Sequence, residues 1–493
     1  MILDSAKLES VLGVSVPPGV EVAGVTHDSR AVRPGFAFVA IPGFRRDGAE
    51  FAEEALGRGA ALVVAEKKIP VGCSVVVPDA RTALADLACA VFGDPSGELE
   101  VYGVTGTNGK TTTSYALYSI LAQAYGVEKC GLMTTAETVY MGRRLPAGRT
   151  TPEATEVQET LAGMLENGVS KVVMEVSSHG IALQRVAGTQ FAGALFTNLS
   201  RDHLDLHGSM EEYYKAKRRL FHVTEGPKLS NADDAWGRRL ATEAEGVTTF
   251  GESERVDYRV GEVRYNREGT VFFLRHPGGT LEITSPLLGG YNVLNVAGAA
   301  SLALATGAEP AAVEDAARRM PQVPGRFERI SGPNGPKEFE VIVDYAHTDV
   351  GLSAVLAVAR GVASGNGSGG RRGRVICVFG AAGDRDGAKR PLMGRAAAEL
   401  ADWSIVTTDD AYSEDPAKIA REVAAGADPE RTEVLLDRRE AIHRGLRVAK
   451  PGDVVLVAGK GHERVQHLPD GDVPFHDAGV VRELLEELGR EEG

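Results

Sequence analysis

The sequence predicts an α/β protein built on doubly wound, mostly parallel sheets, and three observations carry that prediction. Short apolar runs of strand length alternate with helical stretches along the chain, at 101–104, 172–176, 192–196, 341–343, 375–379, 404–407 and 454–458, the pattern of parallel strands joined by crossover helices. One of these runs leads into Thr105-Gly106-Thr107-Asn108-Gly109-Lys110-Thr111-Thr112-Thr113, a Gly-rich turn with one lysine at a helix start. The chain has 493 residues, 43% of them hydrophobic and 25% charged, which is room for about three domains with packed cores.

Residues 1–98 mix apolar runs at 60–65 and 75–77 with helical stretches, and the turn cluster Gly93-Asp94-Pro95-Ser96-Gly97 places a first boundary after them. The second segment, 99–325, opens with the Gly-rich turn. Backbone N–H groups of such a turn and of the helix after it point at an anion, and glycines let the main chain approach closely. Lys110 adds a point charge, and Thr111 offers a hydroxyl to magnesium. The glycines fall at 103, 106 and 109, so Val104 stands where the general phosphate-loop pattern wants glycine. A helix is expected over 110–125. Thr150-Thr151-Pro152-Glu153 has the signals of a helix start, with threonine as N-cap and proline first inside, and Asn167-Gly168 has those of a stop.

The strand at 172–176 ends in Glu175-Val176-Ser177-Ser178-His179-Gly180, and the next ends in Thr197-Asn198-Leu199-Ser200-Arg201-Asp202-His203-Leu204-Asp205. Ligands of doubly wound sheets sit at such carboxyl ends. Glu175 and His203 are read as magnesium ligands, carboxylate being the usual donor and imidazole the less usual one; the plain alternative for His203 is a capping or core histidine. The basic amphipathic stretch 209–221 reads as a solvated helix face, and spacing alone gives Lys217 nothing more.

A second boundary falls at 321–326, and 326–493 form a third α/β unit. Asp344-Tyr345-Ala346-His347, Gly380–Asp386 and Gly459-Lys460-Gly461-His462-Glu463 each follow a strand. Together they form a rim suited to an anion or an amino acid. The Gly/Ser-rich stretch 361–373 reads as a surface loop, and the acidic tail 482–493 as a solvated helix end. No internal repeat is present.

Composition narrows the setting. A formal net charge of −14 disfavours a nucleic-acid partner. Cys73, Cys89, Cys130 and Cys377 show no C-x-x-C pairing, which argues against a disulfide framework or a zinc site. No apolar run reaches the ~18 residues of a membrane span, and Met1-Ile2-Leu3-Asp4 opens no signal peptide. A cytoplasmic location without membrane insertion is expected.

Taken together, Gly106–Thr112, Glu175–Gly180, Thr197–Gly208, Asp344–His347, Gly383–Asp386 and Gly459–Glu463 resemble the Mur ligase family, the ATP-dependent amide-forming ligases of peptidoglycan precursor synthesis, over about residues 24–466. The narrower form GTNGKTT is the one that family uses, which accounts for Val104. The closest resemblance is to the branch that adds the third residue of the stem peptide. It implies three domains: an N-terminal α/β domain for the UDP group of UDP-N-acetylmuramoyl-L-alanyl-D-glutamate, a central ATP-binding domain, and a Rossmann-like C-terminal domain that brings a free diamino acid and closes over the site. A monomer is expected.

Carried over by position, Gly106, Thr107, Asn108, Gly109, Lys110, Thr111, Thr112, Asn295, Arg326 and Asp344 would bind ATP. Ser29 would contact the nucleotide sugar, and Thr150, Thr151, Ser177 and Arg185 the muramoyl dipeptide. Lys110, Glu175, His203 and Lys217 would be catalytic. Lys217, carbamylated, would join Thr111, Glu175 and His203 around Mg2+. Arg385, Asp409, Asp410, Tyr412, Gly459 and Glu463 would bind the amino acid, Arg385 and Glu463 taking its α-carboxylate and α-amine.

The chain departs from this pattern in three places. Asp409-Asp410-Ala411-Tyr412 stands where relatives that add meso-diaminopimelate carry Asp-Asn-Pro-Arg, and the missing arginine would grip a distal carboxylate with a bidentate fork. The expectation is therefore L-lysine or L-ornithine in preference to meso-diaminopimelate. Gly43-Phe44-Arg45-Arg46 and Leu183 also differ from the family's usual residues. The alternatives are another ligase of the superfamily, such as MurF or a folylpolyglutamate synthetase, or a non-enzymatic nucleotide switch.

Overall fold

The computed structural model describes residues 1–43, 46–266, 269–330, 339–365 and 372–491. By internal contacts the chain divides into two compact units. The first is Met1–Glu262 with Phe272–Ile283 and Leu294–Arg318; the second is Val263–Val271 with Thr284–Val293 and Arg319–Gly493.

The first unit opens with a four-stranded parallel sheet in sequential order, Gly24–Thr26, Phe36–Ala40, Leu62–Ala65 and Ser74–Val76. The helix Ala80–Phe92 packs its Leu84, Leu87 and Val91 on that sheet. Its start is set by Asp79, whose carboxylate accepts from the Thr82 N–H at 2.8 Å.

The larger sheet has eleven strands. At its centre lie, in order and all parallel, Lys228–Asn231, Gly193–Phe196, Glu100–Thr105, Lys171–Glu175 and Cys130–Met133. The strand order therefore jumps back and forth in sequence around Glu100–Thr105, which makes a crevice at the carboxyl ends of the strands. The strands Lys171–Glu175 and Gly193–Phe196 are buried along their whole length, as the continuous apolar runs require.

The second unit holds a six-stranded sheet in the order Glu328–Ile330, Glu340–Asp344, Val454–Ala458, Val375–Phe379, Trp403–Val406, Thr432–Val434, parallel except at its first pair. Helices Asp349–Gly365 and Lys389–Leu400 cover one face, and Arg438–Val448 and Asp477–Glu491 the other. The doubly wound α/β class is thus confirmed.

Three local expectations fail for physical reasons. The helix after Thr150 begins at Ala154, because Glu153 and Glu156 form a reciprocal capping box and leave the Thr151 hydroxyl to other partners. The tail is not merely solvated: Val481, Leu484, Leu485 and Leu488 pack into the core on one face of the last helix. Residues 361–365, expected in a loop, belong to the helix Asp349–Gly365, and 366–371 lie outside the described residues.

Candidate active site

The first unit builds a phosphate-type loop between the strand Glu100–Thr105 and the helix Lys110–Tyr125. Two glycines are obligatory there. Gly109 has φ +83°, and a Cβ on it would lie 2.2 Å from Asn295 Oδ1; one on Gly106 would lie 1.9 Å from Thr197 Oγ1. The segment after the neighbouring strand holds the loop in place. Thr197 Oγ1 and Asn198 Nδ2 donate to the Asn108 carbonyl at 2.6 and 3.0 Å, and the Asn108 N–H donates to Asn198 Oδ1 at 3.0 Å. Thr111 and Thr112 are buried at the helix start. A Gly-rich turn that runs into a helix start with a lysine fits a nucleotide phosphate.

Two lysines share one carbonyl of this loop. Lys110 Nζ donates to the carbonyls of Gly106 and Thr107 at 3.1 and 2.9 Å, and Lys217 Nζ donates to Gly106 at 2.7 Å. The helix Met210–Val223 buries Tyr213, Tyr214, Lys217, Leu220 and Phe221, so the reading of Lys217 as part of a solvated face is overturned. Burial, with Lys110 adding to it, pushes the Lys217 ammonium well below its ordinary pKa. The hydroxyls of Tyr213 and Thr107 lie 3.1 Å apart, and the Tyr213 ring lies 4.8 Å from Lys217 Nζ.

Glu175 ends, and His203 follows, the strands on either side of Glu100–Thr105, and among the described residues they belong to no three-residue His, Cys, Asp or Glu cluster with metal-type spacing. Glu175 is fully buried, its carboxylate accepting from the Thr135 N–H and hydroxyl at 3.0 and 3.2 Å. His203 has φ +52°, its Nε2 lies 3.3 Å from an Asp202 oxygen, and its ring meets that of His179 edge-on at 4.6 Å. Burial, opposed by Asp202 and helped by His179, lowers the His203 pKa to about 4. The imidazole is therefore neutral, as a metal ligand must be. Among the described residues the three-residue cluster with metal-type spacing is Asp409, Asp410 and Glu463.

The four residues assigned to the dipeptide are brought together. Thr151 Oγ1 donates to the Glu175 carbonyl and lies 3.0 Å from Ser177 Oγ; Arg185 donates to the Thr151 carbonyl at 3.1 Å and pairs with Glu153 at 2.8 Å; the Thr135 and Thr150 hydroxyls lie 2.9 Å apart. Ser29 lies buried in the N-terminal sheet region and donates to Glu54 at 3.0 Å. Asn295 sits against the Gly109 end of the loop and accepts from Thr113 at 3.3 Å. Phe44 and Arg45 lie outside the described residues.

In the second unit Arg326 lies over the Tyr345 ring at 4.3 Å. Asp344 accepts from the N–H groups of Phe327 and Ala346, both at 2.7 Å, while burial raises its pKa. Beside them the three turns do converge. Lys460, fully buried, donates to Asp410 and Glu463, each at 2.8 Å. Asp410 also accepts from the His467 N–H at 2.9 Å. A Cβ on Gly459 would lie 2.2 Å from Asp409 Oδ2. Tyr412 stacks on His467 at 5.2 Å, with the Arg385 guanidinium 5.5 Å from its ring. Beneath them Arg438 pairs with Asp477 through two bonds of 2.8 and 2.7 Å, both side chains fully buried.

Asp410 does not stand alone, as its sequence context suggested, because Lys460 already holds one of its oxygens and neutralises part of its charge. Sequence reasoning did not single out Lys460, Arg438, Thr135 or His179 as site residues. Lys460 and His179 did carry a local signal, each lying in a polar turn that follows a strand.

Comparison with known proteins agrees with this geometry. Residues 21–92 match the Mur ligase family catalytic domain, 104–303 the Mur ligase middle domain, and 325–461 the Mur ligase glutamate ligase domain. The UDP-N-acetylmuramoyl-L-alanyl-D-glutamate–2,6-diaminopimelate ligase of Solibacter usitatus is 42% identical, over 99% of this chain and 98% of that one. The protein of the same name from Aquifex aeolicus is 40% identical, over 94% of each chain. A solved structure with that ligase name superposes with a TM-score of 0.69 at 31% identity, covering 99% of this chain and 100% of the other. An ADP complex of the MurF ligase of Thermotoga maritima has the same fold, with a TM-score of 0.63 at 20% identity over 95% and 98% of the two chains. By its matched domains, its length-wide identity and its phosphate loop, the chain belongs to the Mur ligase family and is an ATP-dependent ligase that forms an amide bond.

Proposed function

We propose that the chain joins an amine of a diamino acid to the D-glutamate γ-carboxylate of UDP-N-acetylmuramoyl-L-alanyl-D-glutamate, in the cytoplasm and as a monomer. The observation that carries the reading is the pair of lysines on the Gly106 carbonyl, one at the phosphate loop and one buried. A nucleotide switch has no use for the second. A buried amine of depressed pKa is a nucleophile for CO2: it forms an N–C bond, releases one proton and becomes a carbamate. Lys217 would thereby turn from a cation into an anionic oxygen ligand, joining Thr111, Glu175 and His203 in holding Mg2+. When bound, that ion neutralises phosphate charge.

The reaction has two steps. A γ-carboxylate oxygen attacks the terminal phosphorus of ATP, ADP leaves, and an acyl phosphate forms. The amine then attacks the acyl carbon, inorganic phosphate leaves, and the amine's proton is lost. Catalysis here is mainly positioning and charge stabilisation. The N–H groups at the start of the helix Lys110–Tyr125 and the Lys110 side chain hold the phosphates, with Asn295 beside them; Arg326 and Asp344 are assigned to the nucleotide. Thr150, Thr151, Ser177 and Arg185 hold the dipeptide, and residues 1–98, with Ser29, the uridine nucleotide.

The relatives' names favour 2,6-diaminopimelate as the amino acid, and Arg385 beside Tyr412 supplies a guanidinium for a carboxylate. The second reading, L-lysine or L-ornithine, rests on Asp410 and Tyr412 standing where an arginine is usual. Purified protein with ATP, the dipeptide nucleotide and a panel of amino acids tests both. ADP release that requires neither the nucleotide nor an amino acid would refute the ligase reading, and the preferred amino acid decides between the two. For Lys217, the alanine variant should be inactive and regain activity with formate or acetate; no rescue would count against the carbamate.

A further inference from the structure

We infer that Lys460 is a positioning residue that sets the charge and orientation of a carboxylate cluster for one ammonium of the diamino acid; this rests on the function proposed above. Asp409, Asp410 and Glu463 each place a carboxylate oxygen within 4.8 Å of the others. Like charges at that spacing repel, and burial raises the pKa of Glu463. Lys460 lies fully buried against two of the three, at 2.8 Å from each.

The backbone is shaped to put it there. The strand Val454–Ala458 ends in Gly459, at φ +118° with Asp409 Oδ2 where a Cβ would be. Gly461 follows, at φ +53° against the Tyr345 backbone. Larger residues at either place would lift the lysine off the carboxylates.

Other charged groups face the cluster: Arg438, paired with Asp477, also acts on Asp409 and Asp410, the ring of His467 pairs with Asp472, and Arg385 lies against Tyr412. The Tyr345 hydroxyl donates to the second Glu463 oxygen at 3.3 Å. Lys460 offsets part of the negative charge of three clustered carboxyl groups, and what remains attracts a cation. A diamino acid has two amines, one that reacts and must lose its proton and one that remains an ammonium. The cluster fits the second, so Lys460 bears on the choice of diamino over monoamino acids.

Burial already raises the Glu463 pKa and Lys460 opposes that rise. Without the lysine Asp410 and Glu463 lose the donor that fixes their oxygens, and a carboxyl that takes up a proton is no longer an anionic partner for the ammonium. The test is Lys460→Met, compared with the parent protein by steady-state kinetics from pH 7 to 9.5. The KM for the diamino acid should rise on the order of 30-fold at pH 7, the scale of losing one partner of a buried charge pair, with KM for ATP and for the dipeptide nucleotide unchanged. The ratio of variant to parent kcat/KM should climb with pH as the carboxyl ionises again. A KM increase shared by all three substrates, or a ratio flat with pH, overturns the inference. If Lys460→Met does not fold, Lys460→Gln, which keeps one donor without charge, is measured with the same outcomes required. A parent protein that needs no diamino acid for ADP release refutes the function; a dependent parent with an unaltered variant refutes only the role of Lys460.

Discussion

Gly109→Ala tests the phosphate loop most directly. Gly109 has φ +83°, and placing a side chain in the left-handed region costs about 1–2 kcal/mol. The new methyl would start 2.2 Å from Asn295 Oδ1, inside any contact distance, so Asn295 must retreat. It then loses its 3.3 Å bond from Thr113, worth about 1 kcal/mol. The sum is about 2–3 kcal/mol of stability in the first unit. The chain has two tryptophans, Trp236 in the first unit and Trp403 in the second, so a Trp403→Phe background lets urea unfolding be followed through Trp236 alone. The shifted loop should also lower kcat/KM for ATP on the order of 100-fold, the effect of an ångström of misplacement. An unchanged urea midpoint together with an unchanged KM for ATP would refute the cradle assigned to this turn.

Further outcomes follow from the buried charges and the amino-acid rim. The depressed Lys217 pKa means that the unfolded chain binds the extra proton up to its own pKa near 10.5; stability contributed by this group therefore rises with pH until about there, and Lys217→Met should flatten that slope between pH 7 and 9 in CO2-free urea titrations while abolishing activity. Arg438→Met leaves Asp477 buried without its partner and should cost about 3–5 kcal/mol in the second unit, read from Trp403 emission in a Trp236→Phe background, with Arg438→Met/Asp477→Leu recovering much of it. Arg385→Ala should weaken the apparent affinity for meso-diaminopimelate more than that for L-lysine, read from initial rates against each amino acid, if the guanidinium takes a second carboxylate; equal losses would assign it to the carboxylate that both share.

Much of the fold was legible because its signals are local. Continuous apolar runs marked strands buried on both faces, and the Gly-rich turn marked its own conformation, since only glycine tolerates φ +83° against Asn295. The helix start near Thr150 was misplaced because two signals competed: threonine with proline on one side, and the Glu153–Glu156 box on the other. Which one won depended on Ser177 and Glu175, about 25 residues away, engaging Thr151. The last helix was read from its acidic residues alone, although its leucines recur at helical spacing and bury against the second unit's core.

By itself the sequence determined the α/β class, the Gly-rich turn before Lys110 and the turns that carry polar groups, since each depends on backbone preferences or periodicity within a few residues. Only the tertiary structure decided the state of the charges. Lys217 looks like any lysine on a basic helix until that helix packs against residue 106, 111 positions away in sequence, and loses its water. Asp410 looks like a free anion until Lys460, 50 positions on, is folded against it. Charge state depends on desolvation and on partners at a few ångströms, and both are created by packing between residues far apart in the chain.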